Sequence, residues 1–395
     1  MTDVSPAHRF LLLAVLLLVS AQTPFAQTTS VLDDPAFERE ATRGLDLLYN
    51  MEFEQAGAVF DRLAAKTPDH PVAPFLQALV PWWQILMDLS DTSHDDAFFD
   101  AMDEVIDRSD RMLRRDSDNV DALFFKGAAL GFRGRLQSNR RRWLKAALDG
   151  KRAMNYVLEV AEEDPDNADF VFGKGIYDYY AAAIPERYSW SKPFVAMFPE
   201  GSKSRGLAAM HRTFRDGTYI QTEAAYFLLQ IYYLYERDFD KSLQFISWLR
   251  TRYPDNAFFH AMEARIYARF GQWDRADQVF QAVMLRYGQH RTGYNDAIAE
   301  QALYYLGRSQ QMKRNYGQAL ALYYRLEQIA EARPQSSAFK TLGRLRQGMS
   351  HDARGERDKA VRRYRETLDL EDFAGSHDRA RRYLDQPYGR TSADE

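Results

Sequence analysis

Apolar residues recur every three to four positions through most of this chain, and short polar clusters rich in Asp, Asn and Pro interrupt them. That period belongs to amphipathic α-helices; strands would alternate apolar and polar positions. Four of the interruptions share one form: TPDH at Thr67–His70, DSDN at Asp116–Asn119, DPDN at Asp164–Asn167 and YPDN at Tyr253–Asn256. In each, proline or serine ends one helix, and a polar side chain is placed to accept from the free N–H groups of the next. The pattern predicts paired helices. The first pair is Pro35–Asn50 with Glu54–Lys66, the second covers about 71–115, and the third is built around Gly127 and Ala153 and ends at Pro165. A fourth starts near Asn167. Pro185 is expected to break its first helix, an aromatic loop follows to Gly201, and another helix begins near Ser202. Regular pairs fill 220–370, and 377–385 reads as a terminal helix with a charged outer face.

A second regularity is sharper. A small residue is followed twelve positions later by another, and four positions on by a large apolar one. The instances are Gly44/Ala56/Phe60, Gln230/Ser242/Ile246, Ala264/Ala276/Phe280, Gly307/Ala319/Tyr323 and Gly348/Ala360/Tyr364, with Gln230 the misfit. Antiparallel helices approach most closely where both carry small residues. The large residue is then expected to wedge into the next hairpin. The step from Gln230 to Ala264 is 34 residues, and the later steps are longer. This register resembles the tetratricopeptide repeat. It implies an all-α solenoid of about seven to eight hairpins plus a terminal helix.

The stretch Gly173–His260 carries a narrower likeness. DYYAAAIP, FPEGSKSRGLAAM and EAAYFLLQIYYLYERDFDKSLQFISWLRTRYPDN resemble the tetratricopeptide repeat protein 39 family and its bacterial relatives. The resemblance implies helical repeats without clear catalytic residues and a loosely defined role, linked in some eukaryotic members to lipid handling.

Composition adds compartment more than chemistry. The 395 residues are 46% hydrophobic, enough for a large core, and the net charge of −4 gives no pull toward nucleic acid. The absence of cysteine excludes disulfides, thiolate catalysis and cysteine-held metals. At the N-terminus, Arg9 precedes an apolar run from Phe10 to Ala21, and small residues follow at Ala21 and Ala26. This is the grammar of a secretory signal peptide, and the run is too short for an ordinary span. The expected organisation is a signal peptide over 1–26, partly degenerate hairpins over 27–166, and an interrupted hairpin with an aromatic loop over 167–219. Regular repeats with a capping helix follow over 220–386, then a tail over 387–395. The expected location is the bacterial periplasm or the exterior, with no transmembrane helix after signal cleavage.

Catalytic, cofactor and metal motifs are lacking, so the chain reads as a non-enzyme without a cofactor. The eight histidines are scattered, and His94-Asp95-Asp96 suits a helix N-terminus better than a metal. Gly173 and Gly175 suit a close helix contact. An acidic block, Asp88–Asp110, and a basic block, Arg133–Arg152, are either solvated faces, partners across neighbouring hairpins, or a surface for an acidic partner. The loop residues Tyr188, Trp190, Phe194 and Phe198 either plug an interrupted helix or contact a partner or membrane surface. The expected function is binding of a protein or peptide, an acidic one included, in a concave groove. A lipid or carbohydrate ligand is the alternative, and a nucleic acid is not expected. The residue after each first small residue should face that groove. Arg265 and Arg308 hold this position, Tyr304 and Gln301 share the face, and Leu45, Ile231 and Met349 are the apolar equivalents. An internal salt bridge to Glu263 or Glu300 is the competing fate of the two arginines.

Overall fold

The computed structural model describes residues 30–188, 199–335 and 337–389. Seventeen α-helices and no strand occur among them. They pair in sequence as α1 (Pro35–Tyr49) with α2 (Phe53–Lys66), α3 (Val72–Met87) with α4 (Asp95–Leu113), and α5 (Val120–Asn139) with α6 (Trp143–Glu163). Next come α7 (Val171–Arg187) with α8 (Lys203–Asp216), α9 (Gln221–Ile231) with α10 (Phe239–Arg252), and α11 (Ala257–Arg269) with α12 (Trp273–Gly288). The last pairs are α13 (Asp296–Met312) with α14 (Tyr316–Glu331) and α15 (Ala338–Ala353) with α16 (Arg357–Leu368), before the terminal helix α17 (Ser376–Asp385). Each helix packs mainly on its sequence neighbours. The fold is thus an all-α, tetratricopeptide-like solenoid of helical hairpins.

The boundary motifs work through hydrogen bonds. The Asn119 carboxamide accepts from the Ala122 N–H at 3.0 Å, and Asn256 from Phe259 at 2.9 Å. Asn167 accepts from Asp169 at 3.0 Å, and the His70 ring accepts from Val72 at 3.2 Å. Ser202 caps α8. Pro185 does not end α7, which runs on to Arg187. A proline removes one N–H and crowds the preceding turn, and a site two residues from the helix end leaves little helix to disrupt.

The small-residue register is a packing fact. A Cβ on Gly44 would stand 2.5 Å from the Phe60 ring, and Gly307 and Gly348 lie equally close under Tyr323 and Tyr364. The aromatic therefore covers the small residue of its own hairpin rather than only wedging into the next. Phe280 shows that it can also reach forward, stacking on Tyr305 at 5.1 Å. Gly173 and Gly175 do make close helix contacts, against Val157 and against Ala209. Ala276 and Ala319 are buried in the same register. Ala276→Leu and Ala319→Leu should each cost about 1–3 kcal/mol by overpacking, read from the urea midpoint; variants that unfold with the parent would break the register.

The second hairpin is more than a degenerate repeat. Helix α3 is apolar on nearly every side, and its Trp82 and Trp83 are fully buried. Trp83 meets Tyr49 of α1, Tyr226 of α9, and Phe258 and Phe259 of α11. Residues of α1, α9 and α11 thus pack around Trp83 of α3. One apolar cluster runs from Phe37 to Ile266 as a result. Polar bridges of long sequence separation add to this packing. Arg252 pairs with Asp46 at 3.2 Å, the Asn256 side-chain amide donates to the Tyr49 carbonyl at 2.7 Å, and Arg333 joins Asp88.

The acidic and basic blocks pair across neighbouring helices. Arg133 binds Asp149 and Asp103, Lys126 binds Asp110, and Arg140 binds Asp95 at 2.6 Å. Asp95 is therefore an ion-pair partner, and His94 makes no side-chain cap bond.

Candidate functional site

Beyond the α3 contacts, one face is presented by the C-terminal half of α11 with α13, α15 and α17. Arg265 on α11 and Arg308 on α13 are half-buried and share the neighbourhood of Tyr305. The Arg265 guanidinium lies 5.8 Å from the Tyr233 ring. A π-helical turn, Tyr232–Glu236, follows α9 here and carries Tyr233. Arg308 lies 5.2 Å from the Trp273 ring and 5.9 Å from the Tyr304 ring. The Nε atoms of both arginines are buried without a hydrogen-bond acceptor.

The competing internal salt bridges do not form. Glu263 pairs with Arg250 at 3.3 Å, and Glu300 pairs with Arg333. Gln301 is half-buried on α13 and does not join the cluster. Leu45, Ile231 and Met349 are buried in packing contacts, so the register position carries a half-buried cation only on α11 and α13.

Two further arginines complete the site. Arg346 of α15 donates from Nε to the Tyr304 hydroxyl at 3.2 Å and from Nη1 to the Gln311 side-chain Oε1 at 2.8 Å. Arg379 of α17 stands near Arg346, Tyr304 and Arg308, with only long 3.4 Å bonds to the Gly375 and Ala374 carbonyls. Among the described residues, none of Arg265, Arg308, Arg346 and Arg379 forms an ion pair with a carboxylate.

Tyr304 sits in the resulting field. Burial works against its ionisation, yet Arg346, Arg308 and Arg379 carry its pKa below the ordinary phenol value. Arg379 shows the converse: burial first, then repulsion from Arg346 and Arg308, depresses its pKa. Arg265 and Arg346 are also opposed by burial, and neighbouring tyrosines more than offset it. Three like charges are thus held together by packing, tyrosine faces and neutral acceptors. A carboxylate or other anion placed among them would relieve the repulsion and accept charge-assisted bonds.

Position along the helix could have pointed to Arg346, three residues before Met349 and so on nearly the same helix face. Arg379 could not be found this way, because α17 lies outside the small-residue register. That helix is not wholly a charged outer face, since Arg379 turns inward. Of the loop residues, Tyr188 is exposed at the end of α7 beside Arg187. Trp190, Phe194 and Phe198 lie outside the described residues, as do the segment 1–26 expected to be a signal peptide and most of the tail from 387.

No family model matches this chain, and no curated protein does. Solved helical-repeat structures superpose on it loosely. Yeast Tom70 has 12% identity and a TM-score of 0.45, covering 94% of this chain and 76% of that one. The human IFIT1 dimer with PPP-AAAA has 14% identity and a TM-score of 0.46, covering 84% and 71%. The TPR domain of P58(IPK) has 14% identity and a TM-score of 0.25, covering 88% of each. Such superpositions are too loose to carry a site across, and the fold stands on the chain's own helix order and packing.

Proposed function

We propose that this protein is an exported, non-enzymatic helical-repeat scaffold that binds an acidic segment of another protein along α11, α13, α15 and α17. The observation that carries this reading is the group Arg308, Arg346 and Arg379 around Tyr304 without a carboxylate. Arginine forks bind carboxylates in bidentate fashion, and tyrosine faces offer flat apolar support between them. Export rests on the three-part N-terminal segment, and the likeness of Gly173–His260 to the tetratricopeptide repeat protein 39 family agrees with a non-catalytic role. The aromatic residues that would suit a lipid or carbohydrate ligand are, around α3, taken up in packing.

The test is binding of a fluorescent oligoglutamate peptide, followed by anisotropy. Salt-sensitive binding is expected. Arg308→Gln with Arg379→Gln should weaken it at least about tenfold, the scale of one lost charge-assisted contact. The same variant should melt at or above the parent temperature, because it removes mutual repulsion. Unchanged peptide binding by the variant would sink the proposal. So would tighter binding of an oligonucleotide of equal charge.

A further inference from the structure

We infer that the start of α6 is a docking surface for an anionic lipid bilayer. Three of the large apolar side chains that the described structure leaves in solvent stand together there: Trp143 at 64% exposure, Leu144 at 75% and Leu148 at 52%. Leu144 and Leu148 are one helical turn apart and share a face. Exposed Leu89 belongs to the same neighbourhood, because its carbonyl accepts from Arg140, just before α6.

The exposed charges of the segment itself, from Arg141 to Arg152, have one sign. Arg141, Arg142, Lys145, Lys151 and Arg152 are all exposed. The only acid between them, Asp149, is buried against Arg133. Arg141 reaches Glu371 at 2.7 Å, whereas Arg142, Lys145, Lys151 and Arg152 form no ion pair among the described residues. The pairing of the two blocks therefore takes up Asp149 of α6 but leaves its exposed cations over. Arg142 and Lys145 also sit in the wrong place for helix stability, since the first turn of α6 carries no acid and the N-terminal end of a helix favours negative charge. A segment that breaks a local rule at some cost invites a functional reason.

The chemistry selects the occupant. Trp and Leu on one side of a helix, ringed by Lys and Arg, suit a helix lying in the bilayer interface. The ring of Trp143 fits the headgroup boundary, the leucines enter the acyl layer, and the long basic chains reach lipid phosphates. A protein interface would be expected to deplete lysine at such a centre. This surface is independent of the arginine face, so either reading can fail alone.

The experiment is co-sedimentation of the full chain with vesicles of phosphatidylcholine, and with vesicles in which one lipid in three is phosphatidylglycerol. The readout is the binding gained on adding the anionic lipid, which an apolar N-terminal segment would not supply. Each basic residue near an anionic surface multiplies partitioning by roughly fivefold. Lys145→Glu with Arg152→Glu should therefore lower the gain at least about tenfold, as should about 0.5 M salt. Leu144→Ser with Leu148→Ser should lower it comparably, and Arg114→Glu with Arg115→Glu at the end of α4 should not. All these side chains are exposed, so melting temperature and helicity should stay with the parent. No gain for the parent chain, or an undiminished gain in both α6 variants, would overturn the inference. An α6 variant that splits a dimer of this chain while the parent ignores vesicles would overturn it in favour of self-association.

Discussion

Arg333→Ala should destabilise the fold by about 3–5 kcal/mol, the usual cost of removing one partner of a buried ion pair. Arg333 lies between α14 and α15, and its guanidinium reaches Glu300 on α13 and Asp88 and Ser90 after α3. Glu300 is fully buried, and its second oxygen accepts from the Ser337 hydroxyl. Without Arg333 a buried carboxylate keeps only that hydroxyl. The loop that tethers α3 to the C-terminal hairpins also loses its anchor. The effect has a pH signature. Burial already raises the Glu300 pKa above its ordinary value, although Ser337 and Arg333 pull it down. Between the ordinary carboxylate range and its raised folded-state value the folded state holds more proton than the unfolded chain, so this group's contribution falls as pH rises through that window. Removing Arg333 should push the pKa higher, and the deficit of the variant should be smaller at pH 5 than at pH 8. Urea midpoints at the two pH values measure this. A deficit under about 1 kcal/mol at pH 8 would show that the bridge does not anchor that loop. Glu300→Leu added to Arg333→Ala should recover part of the loss, because the orphaned charge is then gone.

Acid should weaken the fold through His260. Its ring is buried on α11 and shares a 2.9 Å hydrogen bond between Nδ1 and the Tyr294 hydroxyl. Burial, with Arg250 and Arg286 nearby, holds its pKa down at about 3. An unfolded histidine titrates near 6.5. Between those values the unfolded chain binds the extra proton. The stability that His260 contributes is whole above about pH 6.5 and falls by about 1.4 kcal/mol per unit below it. About 2–3 kcal/mol should be lost by pH 4.5. His211 and His351 are also depressed by burial and act in the same direction, so the parent's total slope is not the test. The test is the difference between the parent and His260→Phe. That variant leaves the Tyr294 hydroxyl its bond from Arg286 at 3.1 Å. The variant should be flatter with pH by about one proton over this range; parallel profiles would show that the histidine is not buried neutral.

Much of the fold was legible because its determinants are local. Helix periods, the Asn119 and Asn256 caps, and the Gly307/Ala319/Tyr323 register each need at most a few turns of chain to act, so they can be read along the sequence. Arg265, Arg308 and Tyr304 were legible as one face for the same reason, since a helix rotates a fixed angle per residue. Their lack of carboxylate partners was not, because Glu263 and Glu300 stand close in sequence and are claimed by Arg250 and Arg333. Arg346 escaped a reading tied to one register position, and Arg379 a reading of α17 as a cap.

By itself, then, the sequence determined the helices, their pairing and the small-residue contacts, because backbone hydrogen bonds, caps and glycine-sized gaps act over short range. Only the tertiary structure decided that α3 packs against α1, α9 and α11, and that Asp88 meets Arg333 and Asp46 meets Arg252. It also decided which basic side chains are left without acids, on the arginine face and at the start of α6. Those outcomes depend on the rotation accumulated over many hairpins. Each hairpin adds a small angle set by packing, and no short stretch of sequence carries the sum.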